Sequence, residues 1–130
     1  MTQLASLADL ATSYFDVRWQ LDPVDATASG LREHDHRLGR YTPEDVRQHL
    51  AALRSLAGAA AEAGVESLDD EIDRTALLNE IRVTIHRFAT ERVHIVNPTF
   101  WVGHALEGLY LLLARRDRPA EHRARAAGQR

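Results

Sequence analysis

Cysteine is missing from this sequence of 130 residues. Its absence excludes a disulfide framework, a thiolate nucleophile and a metal site built on cysteine ligands. Lysine is missing as well, so arginine supplies all 16 of the Lys and Arg residues. The formal net charge is -3 at pH 7, which argues against a general affinity for nucleic acid or for an anionic membrane.

Long apolar runs are also missing. The longest one, residues 109–114, is far shorter than the roughly 20 residues that cross a bilayer as a helix. No basic segment followed by an apolar run stands at the N-terminus, so we expect no signal peptide. The sequence therefore predicts a cytoplasmic protein with no membrane and no nucleic acid among its partners.

Hydrophobic residues make up 45% of the chain and charged residues 27%, which is ordinary for a globular protein. This length and composition predict a single helical domain, 1–130. Its core would span residues 1–116. Residues 117–130 form a basic helix or tail, which is either solvated and frayed or docked on a partner.

Apolar residues recur at helical spacing along almost the whole chain, which predicts an all-α fold. We expect four to five helices in an antiparallel bundle-like arrangement. The predicted helices cover residues 4–20, 42–64, 67–93 and 97–115, with a short turn at 24–29, a histidine-rich loop at 30–41 and a fifth helix capped by Asp117. Thr42, Ser67 and Asn97 are the expected N-caps, and Gly64 is an expected C-cap.

The fourth long helix, residues 97–115, is apolar on nearly all sides. Such a helix is usually buried by more than one neighbour. A chain of this size leaves part of it uncovered, so we expect an exposed apolar patch, which usually marks an interface. Gly103 and Gly108 on this helix indicate close approach by another helix.

Several short segments occur in a recognisable order. They read SYFD at 13–16, DPVDATASG at 22–30, HDHRL at 34–38, YTPE at 41–44, EIDRTALL at 71–78, NP at 97–98 and ALEGLYLLLAR at 105–115. Together they resemble the N-terminal part of a bacterial family called domain of unknown function 885. The resemblance spans nearly the whole chain.

The resemblance implies a mostly helical protein several times this length, similar to helical zinc peptidases. In that architecture a helix carries two histidines four residues apart, with a glutamate between them as general base. This sequence contains no His-Glu-x-x-His. We therefore expect no metal and no cofactor in this chain, and we expect a second protein chain to supply the rest of the machinery.

Candidate catalytic residues are few. His104, Glu107 and Tyr110 follow one another at three-residue intervals on the most apolar helix, and neighbouring turns place such residues on related faces. A His–Glu pair with a tyrosine can act as base, orienter and donor. Hydrogen bonds to neighbouring helices, or a subunit interface, account for the same residues without chemistry.

Other polar and aromatic residues are candidates for a ligand site or an interface. They are Arg82, His86, Asn97, Trp101 and Gly108. His86 and His94 are spaced to share one helix face. His34 and His36 flank Asp35, but two ligands do not make a zinc site, so a solvated, hydrogen-bonded loop is expected there.

Three functions remain open on the sequence alone, and it does not decide whether the chain is part of an enzyme. The first is an accessory subunit, not catalytic alone, that completes the cleft of a partner enzyme related to helical metallopeptidases. The second is a subunit of a small-molecule biosynthetic enzyme for cyclisation or elimination, using Arg82, His104, Glu107 and Tyr110. The third is a non-catalytic protein that self-associates.

Overall fold

The computed structural model describes residues 5–130, and over this range the chain is helical with no strand. The all-α prediction is confirmed, but the number of helices is higher than the four to five expected. The seven α-helices are α1 (Leu7–Leu21), α2 (Pro23–Ala28), α3 (Pro43–Glu62), α4 (Leu68–Ile85), α5 (Val93–Val96), α6 (Pro98–Ala114) and α7 (Ala120–Gln129). A 3₁₀ turn (Arg32–His34) and a π-helical turn (His86–Thr90) complete the structure.

Side-chain caps explain where the four long helices α1, α3, α4 and α6 begin. Ser67 accepts a hydrogen bond from the amide of Asp70 at 3.1 Å, and the Asp70 carboxylate accepts one from the amide of Ser67 at 3.0 Å. This reciprocal pair is a capping box built with aspartate in place of the more usual glutamate. Thr42 caps α3 and Asn97 caps α6, as predicted. Ser6 caps α1, and the predicted start at Leu4 lies outside the described residues.

The predicted third helix, residues 67–93, remains helical past Ile85 as a π-helical turn and is wrong beyond Thr90. The π-helical turn follows α4, and then Arg92 adopts left-handed backbone angles (φ 52°, ψ 43°) that end the helical path. A π-helical turn takes up extra residues per turn and disturbs the regular ladder. His86 and His94 therefore do not share one helix face, because His86 is exposed and His94 is buried.

Two smaller predictions are also corrected. Gly64 does not cap α3, because the helix ends at Glu62 and Ala63 is already extended (φ −62°, ψ 138°). Asp117 does not cap α7, which begins after Pro119 without a side-chain cap.

The main hydrophobic core lies between α1, α3 and α4. Leu53 and Ile81 are fully buried within it. Leu10, Tyr14, Ala60 and Leu77 from the same three helices also belong to this core. Ala63 joins it although it follows the end of α3.

A second, aromatic cluster joins this core to the other half of the molecule. Tyr41 is its centre, with its ring 5.2 Å from that of Phe100 and 6.0 Å from that of Phe88 (centroid to centroid). Burial raises the pKa of Tyr41 far above its ordinary value, with Asp22 adding to the shift. The Tyr41 side chain therefore remains neutral at any physiological pH.

The sixth helix stands apart from the main core. It packs against α2 on one side, and against α5 and α7. The short α2 covers only part of its length, which leaves the opposite side of α6 without a neighbour among the described residues. This placement decides which residues of α6 are available to other molecules.

We expect Gly39→Ala to lower the free energy of unfolding by about 2 kcal/mol or more. Gly39 has a φ of +98°, and a Cβ atom there would lie 2.7 Å from the carbonyl oxygen of Leu21.

The control is Gly58→Ala in α3, where a Cβ atom has nothing within 4 Å. This variant should gain about 0.5–1 kcal/mol of stability from the higher helix propensity of alanine. Urea unfolding followed by circular dichroism measures both; equal effects would contradict the assignment of strain to Gly39.

Candidate functional site

Four residues of α6 form an exposed apolar stripe. Val102 is 59% exposed, Leu106 64%, Leu109 43% and Leu113 66%. Their spacing of four, three and four residues is that of a coiled-coil seam, in which alternate turns present apolar side chains to one partner helix. We name these four residues the α6 seam. The exposed patch that the sequence predicted on this helix is thus confirmed.

Two features beside the seam suit the approach of another helix. Tyr110 is 67% exposed and lies one residue after Leu109. Gly103 follows Val102, and a Cβ atom there would have nothing within 4 Å. The prediction that another helix approaches Gly103 closely is therefore wrong within the described chain, and the space beside Gly103 is open.

The opposite face of α6 is buried at one residue per turn, by His104, Gly108 and Leu112. Gly108 allows α2 and the loop after it to come close, because a Cβ atom there would lie 2.8 Å from Leu38 Cδ1 and 3.3 Å from Val24 Cγ2. The carbonyl oxygen of Gly108 accepts a hydrogen bond from Arg130. For Gly108 the predicted close approach is correct.

The three candidate catalytic residues do not form one site. The Nε2 atom of His104 lies 2.5 Å from the carbonyl oxygen of Leu38, to which it donates. Glu107 and Tyr110 are exposed. No hydrogen bond or ion pair joins either of them to His104 in residues 5–130, so the geometry gives no support to a base–orienter pair.

The remaining predicted site residues have structural roles or lie in solvent. Arg82 is exposed and donates to Asn79 Oδ1 at 3.3 Å, and His86 is exposed near Glu91. Asn97 is the cap of α6. The indole nitrogen of Trp101 donates to the carbonyl oxygen of His94 at 2.9 Å, which fixes α5 against α6.

A buried ionic cluster is the feature that the sequence interpretation missed. Asp35 is only 1% exposed, and Arg118 is 2% exposed. The Asp35 carboxylate accepts hydrogen bonds from both Arg118 Nε and Nη2, from Thr27 Oγ1 at 2.9 Å, and lies 2.8 Å from His122 Nε2. The expected solvation of this loop is therefore wrong at Asp35, whose carboxylate is enclosed by hydrogen-bond donors, whereas His36 is exposed as expected.

The C-terminal segment is held by the same region. Arg115 donates to the carbonyl oxygens of Thr27 and Ala28 at 3.1 and 2.9 Å. Arg130 donates to Thr27 Oγ1 at 2.6 Å as well as to Gly108. Residues 115–130 are thus a strap across α2 and α6, and several of the arginines that gave this segment its basic character are used inside the molecule.

Burial alone would raise the pKa of Asp35, but the hydrogen bonds from Arg118, His122 and Thr27 outweigh it and lower the pKa below its ordinary value. A carboxyl group with a lower pKa in the folded state stabilises that state fully above its unfolded pKa of about 4. The contribution is lost as the pH falls through the folded pKa. Acid should therefore loosen this cluster.

Neither a metal cluster nor a membrane span is present in the part of the chain that the structure describes. No group of three or more His, Cys, Asp or Glu side chains there is arranged to hold a metal ion. No helix there is long and apolar enough to cross a bilayer.

We expect Asp35→Asn to lower the free energy of unfolding by about 3–5 kcal/mol, because it removes the buried carboxylate that Arg118 contacts and leaves only the half-exposed Asp117 as its counter-charge. The variant should also lose part of the fall in stability that the native protein shows below about pH 4.

Asp117→Asn is the matched control, since Asp117 also pairs with Arg118 but its side chain is 46% exposed. Its cost should be much smaller, because exposed ion pairs contribute little to stability. Equal costs for the two variants, from urea unfolding at several pH values, would refute the buried cluster.

No protein-family model, no curated protein and no solved structure matches this chain. The likeness to domain of unknown function 885 therefore stays a prediction. The function must therefore be inferred from the surfaces of the molecule. The α6 seam differs from an ordinary solvent-exposed helix face because its side chains are apolar.

Proposed function

We propose that this protein is a helical subunit, not catalytic alone, that binds a helix of a partner protein along the α6 seam. The observation that carries the proposal is the exposure of four large apolar side chains at coiled-coil spacing on one face of α6. Exposed patches of this kind on a folded domain usually mark interfaces.

The seam supplies part of the energy of such a complex. Removing a mostly exposed Leu or Val side chain from water contributes about 1–2 kcal/mol. Four such residues give roughly 4–8 kcal/mol, which the lost freedom of two associating proteins largely offsets. The neighbouring exposed residue Tyr110 enlarges the apolar area beside Leu109.

The chemistry of the seam defines the partner. An amphipathic helix with its own apolar residues at heptad spacing fits a seam that carries no charge. The resemblance to helical zinc peptidases adds a more specific proposal: the partner is an enzyme chain of that kind, and this subunit completes the wall of its cleft. The antiparallel, bundle-like arrangement expected of this chain's own helices stays part of the proposal.

One observation favours a second candidate, a homo-oligomer without catalysis. Because no seam residue is charged, two copies of α6 can pack against each other without like-charge repulsion, in an isologous pair. The structure offers less support for the alternative of a biosynthetic enzyme. His104 donates to the carbonyl oxygen of Leu38, whereas Glu107 and Tyr110 are exposed.

We expect Leu106→Glu combined with Leu113→Glu to weaken the complex at least about 100-fold. The charges would be buried against an apolar helix, while glutamate keeps the helix propensity high. The control is Val83→Glu, because Val83 is 55% exposed on α4 and lies outside the seam. It should leave assembly unchanged.

Size exclusion with light scattering measures the mass of the protein alone and co-expressed with the products of adjacent genes. A heteromer that the double variant disrupts supports the accessory subunit. A homodimer with the same sensitivity supports the second candidate. A monomer that recovers no partner, or a complex that survives the double variant, contradicts binding through the seam.

A further inference from the structure

A cleft lies between α3, the π-helical turn and α5. Its volume is about 410 Å³, which is within the usual range for sites that hold small molecules. None of its lining residues belongs to the α6 seam. The lining residues are Tyr41, Pro43, Val46, Arg47, Leu50, Arg54, Phe88, Ala89, Arg92, His94 and Ile95.

The floor of the cleft is apolar and well packed. Tyr41, Val46 and Leu50 are buried and form one hydrophobic cluster. Phe88 packs against that cluster, with its ring stacked on that of Tyr41. Such a floor suits the apolar body of a small molecule, and the aromatic ring faces favour a ring-shaped one.

The rim carries charge of one sign. Three arginines line the cleft and no carboxylate does. Arg47 is paired with Glu44, one turn away on α3. Arg54 and Arg92 form no ion pair anywhere in residues 5–130, so two guanidinium groups are available to an anion. Guanidinium groups bind carboxylate and phosphate oxygens with two parallel hydrogen bonds.

A buried histidine in the lining has an unmet hydrogen bond. His94 is 9% exposed, and its Nδ1 atom is buried without any partner among the described groups. Burial lowers the pKa of His94, and the charge of Arg92 adds to the shift, so the imidazole is neutral at pH 7. A buried polar atom without a partner costs stability. Because Nδ1 is closed to solvent, the imidazole ring would have to turn toward the cleft for a ligand oxygen or hydroxyl group to satisfy it.

The backbone at the rim is strained. Arg92 has a φ of 52°, the one positive value at a residue other than glycine within residues 5–130. Strain of this kind is retained mainly where the surrounding structure enforces it, and it often accompanies ligand sites. Here the strained residue is Arg92, which stands immediately before α5 and two residues before His94.

We propose that this cleft binds a small organic anion whose apolar, ring-sized body rests on Phe88 and Leu50. The anionic head, a carboxylate or a phosphate, is held by Arg54 and Arg92. His94 Nδ1 forms a further hydrogen bond to the head or to a hydroxyl group beside it. The site needs no partner protein, because all these groups come from this chain.

The experiment is a calorimetric titration of the whole protein with 3-phenylpropanoate and with phenyl phosphate, and with neutral 3-phenylpropanamide for comparison. We expect at least one anion to bind, and to bind about tenfold or more tightly than the amide. Which anion binds more tightly identifies the head group. Equal binding of anion and amide, or no heat from either anion up to about 10 mM, overturns the proposal, since that limit corresponds to negligible affinity.

Variants test the assignment of residues. Arg92→Gly removes the guanidinium group while glycine accepts the left-handed backbone without strain, so the variant should remain folded. Arg92→Gly and Arg54→Gln should each weaken binding of the better anion about tenfold. The control is Arg125→Gln, because Arg125 is exposed on α7 and lies outside the cleft.

If Arg92→Gly and Arg54→Gln bind as tightly as the native protein, the cleft is not the site. The seam variant Leu106→Glu with Leu113→Glu should bind the anion normally, because the two surfaces share no residue. Failure of the seam proposal and failure of the anion site are therefore separate results.

Discussion

Asp35 and Arg118 lie 83 residues apart in the sequence and meet where the loop after α2 faces the segment before α7. The pair is enclosed, and without Asp35 the buried Arg118 would keep only the half-exposed Asp117 as its counter-charge. Thr27 and His122 complete the hydrogen bonding of the carboxylate. This is the buried contact of the C-terminal strap, and the contacts of Arg115 and Arg130 with α2 and α6 are arranged around it.

Apolar side chains in place of this ion pair could give the same stability, but they would not fix the orientation of the strap. The two guanidinium donors from Arg118 and the carboxylate of Asp35 fix both the distance and the rotation of the strap. Arg115 and Arg130 then reach α2 and α6 at set points. As a result, one face of α6 is anchored and the other is free. The free face needs no rearrangement to bind, which lowers the conformational entropy lost on association.

Local patterns were enough to predict the helices whose ends are set by neighbouring residues. Thr42–Pro43 and Asn97–Pro98 mark α3 and α6 because a cap and a proline act within one turn. The break at Arg92 was not predictable, since no glycine or proline marks it and packing around Phe88 overrides the helical pattern. Tertiary packing also places Ala63 in the core, although α3 has already ended at Glu62.

The functional surfaces likewise divide into those that the local sequence predicts and those that depend on tertiary packing. The apolar excess of α6 is visible in its composition, so an exposed patch could be expected, but which side would be open depended on where α2 and α7 pack. The Asp35 cluster and the arginine-rimmed cleft join residues from distant segments. Arg54 lies in one helix and Arg92 after another, and nothing in either local sequence indicates that they share a cleft.

The order of segments along the chain gives the strap a further consequence. Cleavage of the chain between α6 and α7 would separate the strap from the helix that it holds. The hydrogen bonds from Arg118 to Asp35 and from Arg130 to Gly108 would then depend on a detached fragment. The buried face of α6 would open as well as the seam, and partly folded chains with exposed apolar surface associate readily. A single cut in this connecting segment would therefore convert α6 from a helix with one open face into one with two.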